Sequence, residues 1–65
     1  MQGLQIGMFG TFQFYMEYKG FLNPYNISGA EIKDMDHHNI WLEDMEGCVY
    51  NVKKKNIKLF LPEEK

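Results

Sequence analysis

Two short stretches concentrate the side chains able to do chemistry, Asp34-Met35-Asp36-His37-His38 and Lys53-Lys54-Lys55. The first holds carboxylates and imidazoles, the groups that ligate metals or move protons. Adjacent histidines in a turn rarely aim at one ion, and a structural zinc site wants four well-placed ligands. Cys48, the only cysteine, would join them only if the fold carried it there; a lone cysteine in a β-pattern reads as a small buried hydrophobe. A solvated polar turn is the simpler reading, so neither a metal nor a cofactor is expected. Nucleophilic catalysis is as poorly served. Ser28 is the only serine and has no evident base partner, and a chain of 65 residues leaves little room for a water-excluding pocket. The expectation is a protein that binds and is not an enzyme.

The lysines suit an anion. Four lie between Lys53 and Lys58 with no acid among them, whereas Glu31 to Glu46 holds six acids and one base, Lys33. The net charge of −2 therefore conceals two oppositely charged regions. The chain has no arginine, the residue whose planar fork reads base edges and phosphates bidentately. That argues against sequence-specific duplex reading and leaves open a basic patch that holds phosphate. Aromatics, 15% of the residues, are partly core and partly candidates for stacking or contact. By alternation Tyr15 and Trp41 lie opposite the core face. With Phe21 and Tyr25 of a loop rich in apolar residues, they are expected at an interface.

These side chains need elements to hold them, and hydrophobic period names the elements. Thr11–Tyr18 alternates cleanly, with Phe12, Phe14, Met16 and Tyr18 on one face, which predicts a half-buried strand. Upstream, Leu4, Ile6 and Met8 also alternate, broken by Gly3, Gly7 and Gly10. This reads as one strongly bent N-terminal strand or as two strands meeting at Gly10. Gly7-Met8-Phe9-Gly10 has the spacing of a phosphate-clamping GxxG loop but lacks its flanking helices, so a strand kink is the better reading. Lys19 to Gly29, with Gly20, Asn23-Pro24, Asn26 and Ser28-Gly29, predicts a loop. Ala30–Met35 follows as a strand with Ala30 and Ile32 inward. Asp36-His37-His38 is a turn, and Asn39–Met45 a strand with Ile40 and Leu42 inward. Glu46-Gly47 marks a hairpin. Cys48–Val52 is the next strand, Lys53–Asn56 a short link with room for one 3₁₀ turn. Ile57–Leu61 is the last strand, with Ile57, Leu59 and Leu61 sharing a face. Pro62 stops it before a polar tail, Glu63-Glu64-Lys65.

Strands of this length joined by tight turns predict an all-β fold, a small five- or six-stranded barrel forming one domain over residues 1–65. Hydrophobic residues at 45% argue against disorder. A core this small gives limited stability without disulfide or metal, so association into a homo-oligomer is expected. No apolar run reaches the length of a membrane span and no basic, then apolar, leader opens the chain, so no membrane is expected and the cytoplasm is the default compartment.

The second half of the chain, residues 30–61, resembles the Sm-like (LSm) barrels within the wider Src-homology-3-like group. The family's first motif ends in asparagine, an apolar residue, any residue and leucine, matched by Asn39-Ile40-Trp41-Leu42. His37 occupies the place, two residues earlier, of an aromatic or histidine that stacks on a base. The second motif is matched by Val52-Lys53-Lys54-Lys55-Asn56-Ile57, with Lys53-Lys54 where the family has Arg-Gly. Met35 stands at the place of the motif aspartate, and a glycine-broken β-pattern replaces the family's N-terminal helix. The resemblance implies an oligomeric ring whose rim binds single-stranded RNA, with His37, Asn39 and Lys53 as contacts.

Two functional expectations follow. In the first, Lys53, Lys54 and Lys55 hold the phosphates of a single-stranded RNA or a nucleotide-like anion, while His37 stacks and Asn39 hydrogen-bonds. In the second, the chain is a protein–protein adaptor or a phage-type inhibitor, using Tyr15, Phe21, Tyr25 and Trp41 with acids at the rim.

Overall fold

The computed structural model describes residues 3–64. Five strands follow one another: β1 (Phe9–Tyr18), β2 (Phe21–Met35), β3 (Asn39–Glu43), β4 (Val49–Lys53) and β5 (Ile57–Pro62). A single 3₁₀ turn, Lys54–Asn56, lies between the last two. The strands form one antiparallel sheet in the order β4-β3-β2-β1-β5. No helix among the described residues is long and apolar enough to cross a membrane.

The core draws on every strand. Phe12 and Phe14 of β1, Ala30 and Ile32 of β2, Ile40 and Leu42 of β3, Val52 of β4 and Ile57 of β5 are buried in one cluster. Period-2 alternation puts each set on a single face. With no second layer to pack against, one sheet buries all these faces together only by curving strongly, and β1 comes to lie against β4 and the 3₁₀ turn. The outermost strands, β4 and β5, share no ladder among the described residues, so hydrogen bonding leaves the sheet open there.

Bulges provide the bending. Gly10 pairs with Ala30 and Phe12 with Ile27, so Thr11 faces two residues, Ser28 and Gly29. Gly29 has φ +68°, the left-handed conformation that glycine reaches without a Cβ penalty, as a bulge of this kind requires. Across it the Thr11 and Ser28 hydroxyls meet at 3.2 Å. Gly10 runs through β1 without breaking it, and its missing side chain leaves space for the Leu61 carbonyl, with which a Cβ would collide. A second bulge lies in β5. Gln13 pairs with Leu59 and Phe14 with Ile57, so Lys58 is the extra residue.

The structure departs from the sequence expectation at several places. The Lys19–Gly29 loop is mostly strand. Lys19 and Gly20, both at positive φ, form a two-residue hairpin turn, and β2 begins at Phe21. Pro24 is tolerated inside β2 because β3 pairs only with Glu31–Met35, leaving the outer edge at Pro24 without a strand partner. The N-terminal stretch is a turn, not a strand: Ile6 and Gly7 turn, and a single strand starts at Phe9. Leu4 and Met8 still pack on the core, whereas Ile6 is exposed. In β5 the bulge at Lys58 resets the alternation, so Leu59 and Leu61 face out while Phe60 packs against Phe12 with ring centroids 4.7 Å apart and ring planes tilted by 37°. Cys48 is exposed, because it sits in the turn before β4. The tail is tied at Glu63, whose N–H donates to the Phe9 carbonyl at 3.0 Å and whose carboxylate accepts from the Gly29 N–H at 3.1 Å. Lys65 lies outside the described residues.

A candidate anion groove between two turns

The β2–β3 turn is organised by one carboxylate. Asp36 Oδ1 accepts the N–H of His38 and of Asn39, each at 2.8 Å, and the side-chain amide of Asn39 at 3.4 Å. The Asp36 N–H closes the turn by donating to the Asn39 carbonyl at 3.0 Å. Aspartate suits this position because its short carboxylate reaches the backbone two and three residues on. These bonds, that from His38 first, hold the Asp36 carboxyl below the usual carboxylate range. With its backbone clamped, the turn presents His37 and His38 outward, both exposed, with ring centroids 6.4 Å apart.

The lysine link meets this turn. Asn39 at the start of β3 pairs with Lys53 at the end of β4, and the Lys54 N–H donates to the His38 carbonyl at 2.8 Å. The chain then winds through the 3₁₀ turn and enters β5. Together His37, His38, Asn39, Lys53, Lys54 and Lys55 line a groove of about 460 Å³. Every residue expected at the ligand site, His37, Asn39, Lys53, Lys54 and Lys55, is thus brought to one place, and His38 joins them. Among the described residues the ion pairs are those of Lys33 with Glu31 and Glu43, each 3.7 Å, so the groove's lysines are in none. Asp36, the acid closest in sequence to the groove histidines, has its Oδ1 engaged with the backbone. The groove is a cationic surface with imidazole and amide groups beside it, suited to a phosphate with a planar ring attached.

The metal reading is not carried by the geometry. Cys48 precedes β4 at the far end of the β3–β4 hairpin from His37 and His38. Among the described residues no three histidine, cysteine or acidic side chains gather to hold an ion.

The four residues expected at an interface separate into different settings. Tyr25 is exposed, with one ring face stacked on Phe14 at 5.7 Å and its ring 6.5 Å from that of Tyr50. Tyr50 is half-buried there and donates to Asp44 Oδ2 at 3.2 Å. Its partial desolvation, and then this bond to a carboxylate, push its pKa up. Phe21 is 73% exposed at the tip of the β1–β2 hairpin, beside exposed Tyr18 and Leu22. Tyr15 and Trp41 are half-buried on the outer face. The hairpin beyond Phe14 has lost β5 and has not yet met β3, so it extends as a two-stranded ribbon.

The sequence reading missed Asn51 and Asn56, which with Tyr15, Met16, Glu17 and Lys53 line a smaller hollow beside the groove. The available signal was the asparagine on each side of the lysine run, Asn51 and Asn56. In comparisons with known proteins, no family model, no curated protein and no solved structure matches this chain.

Proposed function

We propose that this chain is a non-enzymatic binding module that holds single-stranded RNA, or a nucleotide-like anion, in the groove between the His37–Asn39 turn and the Lys53–Lys55 link. The observation that carries this reading is the convergence of three unpaired lysines, an outward histidine and an amide on one concave surface. Lysine ammonium groups hold phosphate as point charges, and an exposed imidazole offers a face on which any base stacks. The preference for a single strand follows from the lack of arginine and, among the described residues, of a helix that fits a major groove.

The resemblance to Sm-like barrels supports the same site, since its first motif begins at Asn39, where the turn enters β3, and its second contains the lysine link. In this reading the curved sheet completes a barrel and copies of the chain associate. β4 and β5 present unpaired edges beside exposed Val49, Leu59 and Leu61, the surfaces that edge-to-edge pairing uses. Sedimentation equilibrium giving the mass of a single chain at micromolar concentration would remove the association from the reading. The cytoplasm is the proposed compartment.

The test is an anisotropy titration of a labelled oligouridylate against the wild type and the double variant Lys53→Ala, Lys54→Ala. Loss of two phosphate contacts weakens binding and lowers the slope of log K against log salt by about 1.4, at about 0.7 per contact. An affinity and slope equal to wild type would overturn the proposal.

A second reading has an observation of its own. The ribbon tip exposes Tyr18, Phe21 and Leu22 together, an apolar surface that suits a protein partner. In that case Phe21→Ser abolishes partner capture and leaves oligouridylate binding as it was; loss of both together counts against it.

A further inference from the structure

We infer that the bound strand does not end at the groove but continues past Lys53 along the flank of β1, where Tyr15 stacks a further base and Lys58 holds a further phosphate. This rests on the reading of the groove as a nucleic-acid site and extends it to a track several nucleotides long.

The hollows are linked residue by residue. Lys53 lines both the groove and a hollow of about 110 Å³ formed with Tyr15, Asn51 and Asn56. Tyr15 in turn lines that hollow and a third one, of about 260 Å³, shared with Gln13, Asn26 and Lys58. A nucleotide chain leaving the lysine link therefore meets polar amides, then a phenol ring, then another ammonium group. Base stacking on aromatics tolerates any base, and amide side chains offer donors and acceptors to whatever edge is presented.

The fold explains why this flank is open. β5 pairs with β1 only as far as Phe14, and the residues just before β5 curl away as the 3₁₀ turn. Tyr15 is the first residue of β1 past that ladder, so one side of it has no hydrogen-bonded strand and faces β4 across the hollow. The bulge in β5 falls at the same level. Lys58 is its extra residue and is exposed, and bulges re-aim a side chain out of the regular alternation. A bulge that also places a lysine beside the open flank of Tyr15 gives the track its second cation. Glu17 lines the middle hollow and opposes a phosphate there.

The experiment compares two labelled probes, a uridine dinucleotide that fills the groove alone and a uridine hexanucleotide. Tyr15→Ala and Lys58→Ala are expected to weaken hexanucleotide binding about tenfold and about threefold, with dinucleotide affinity unchanged. Tyr15→Phe keeps the ring and restores hexanucleotide binding, which separates stacking from damage to the fold. Glu17→Gln tightens the hexanucleotide alone. Lys53→Ala weakens both probes. If Lys53→Ala weakens both while Tyr15→Ala and Lys58→Ala change neither, the track is overturned and the groove stands. If Tyr15→Ala weakens both probes equally, the track is likewise overturned. If neither probe binds the wild type, groove and track fall together.

Discussion

Asp36 shows how one side chain prepares a site that it does not itself form. Its carboxylate is consumed by the backbone of His38 and Asn39, which fixes the turn and turns the imidazoles outward. Those bonds depress its pKa in the folded protein relative to the unfolded chain. The contribution of Asp36 to stability is therefore complete above the ordinary aspartate pKa of about 3.9 and is lost as pH falls through the lower folded value. Asp36→Ala removes that dependence, so urea midpoints of variant and wild type converge as pH falls below about 4. Midpoints that stay parallel down to pH 2 contradict the role given to these bonds. Asp44 finishes the other end of β3 in the same manner, accepting the N–H groups of Glu46 and Cys48 at 2.9 Å. The turn at Asp36 was legible because aspartate followed by polar residues between two apolar alternations has few other uses. That its carboxylate would be taken up locally follows from the same chemistry; that His38 would share the groove with His37 did not, because it depends on the Lys54–His38 contact between distant turns.

At the scale of elements, alternation located the buried residues of β1, β3, β4 and the second half of β2, although Tyr18 on the same face of β1 is exposed, and it failed in β5. The pattern Ile57, Leu59, Leu61 is apolar at every second residue, yet Lys58 bulges and Phe60 turns inward. A one-residue slip exchanges the two faces of a strand, and nothing local to Ile57–Leu61 announces it. Phe60→Ala is accordingly expected to cost about 2 kcal/mol, less than a fully buried phenylalanine because Phe60 is half-buried. Leu59→Ala costs under about 1 kcal/mol, since Leu59 faces out. Denaturant unfolding of the two variants decides the matter, and the reverse ranking contradicts the bulge. The long β2 was hidden for a different reason. Asn23, Pro24 and Asn26 are turn formers by local preference, and pairing with the strongly alternating β1 overrides that preference where an open outer edge lets Pro24 fit.

The whole molecule separates its charge. Acids are concentrated along β2, β3 and the turn after β3, where Lys33 bridges Glu31 and Glu43. The lysines gather where β4 hands over to β5. Between these regions the single sheet curves around a core to which every strand contributes. The all-β class was legible in sequence; His37, Asn39 and Lys53 to Lys55 were expected at one rim, and the pairing of Asn39 with Lys53 is what places them along one groove. The curvature that brings β1 against β4, and with it the hollow beside Tyr15, arises from bulges and from contacts far apart in the chain. The central claim, that the groove is the ligand site, places its signal in advance. In a backbone-amide NMR titration with a uridine dinucleotide, the account predicts saturable shifts concentrated at His37, His38, Asn39 and Lys53 to Asn56. Shifts confined to the ribbon tip or to the acidic turn after β3, or no shifts at all at millimolar probe, would contradict it.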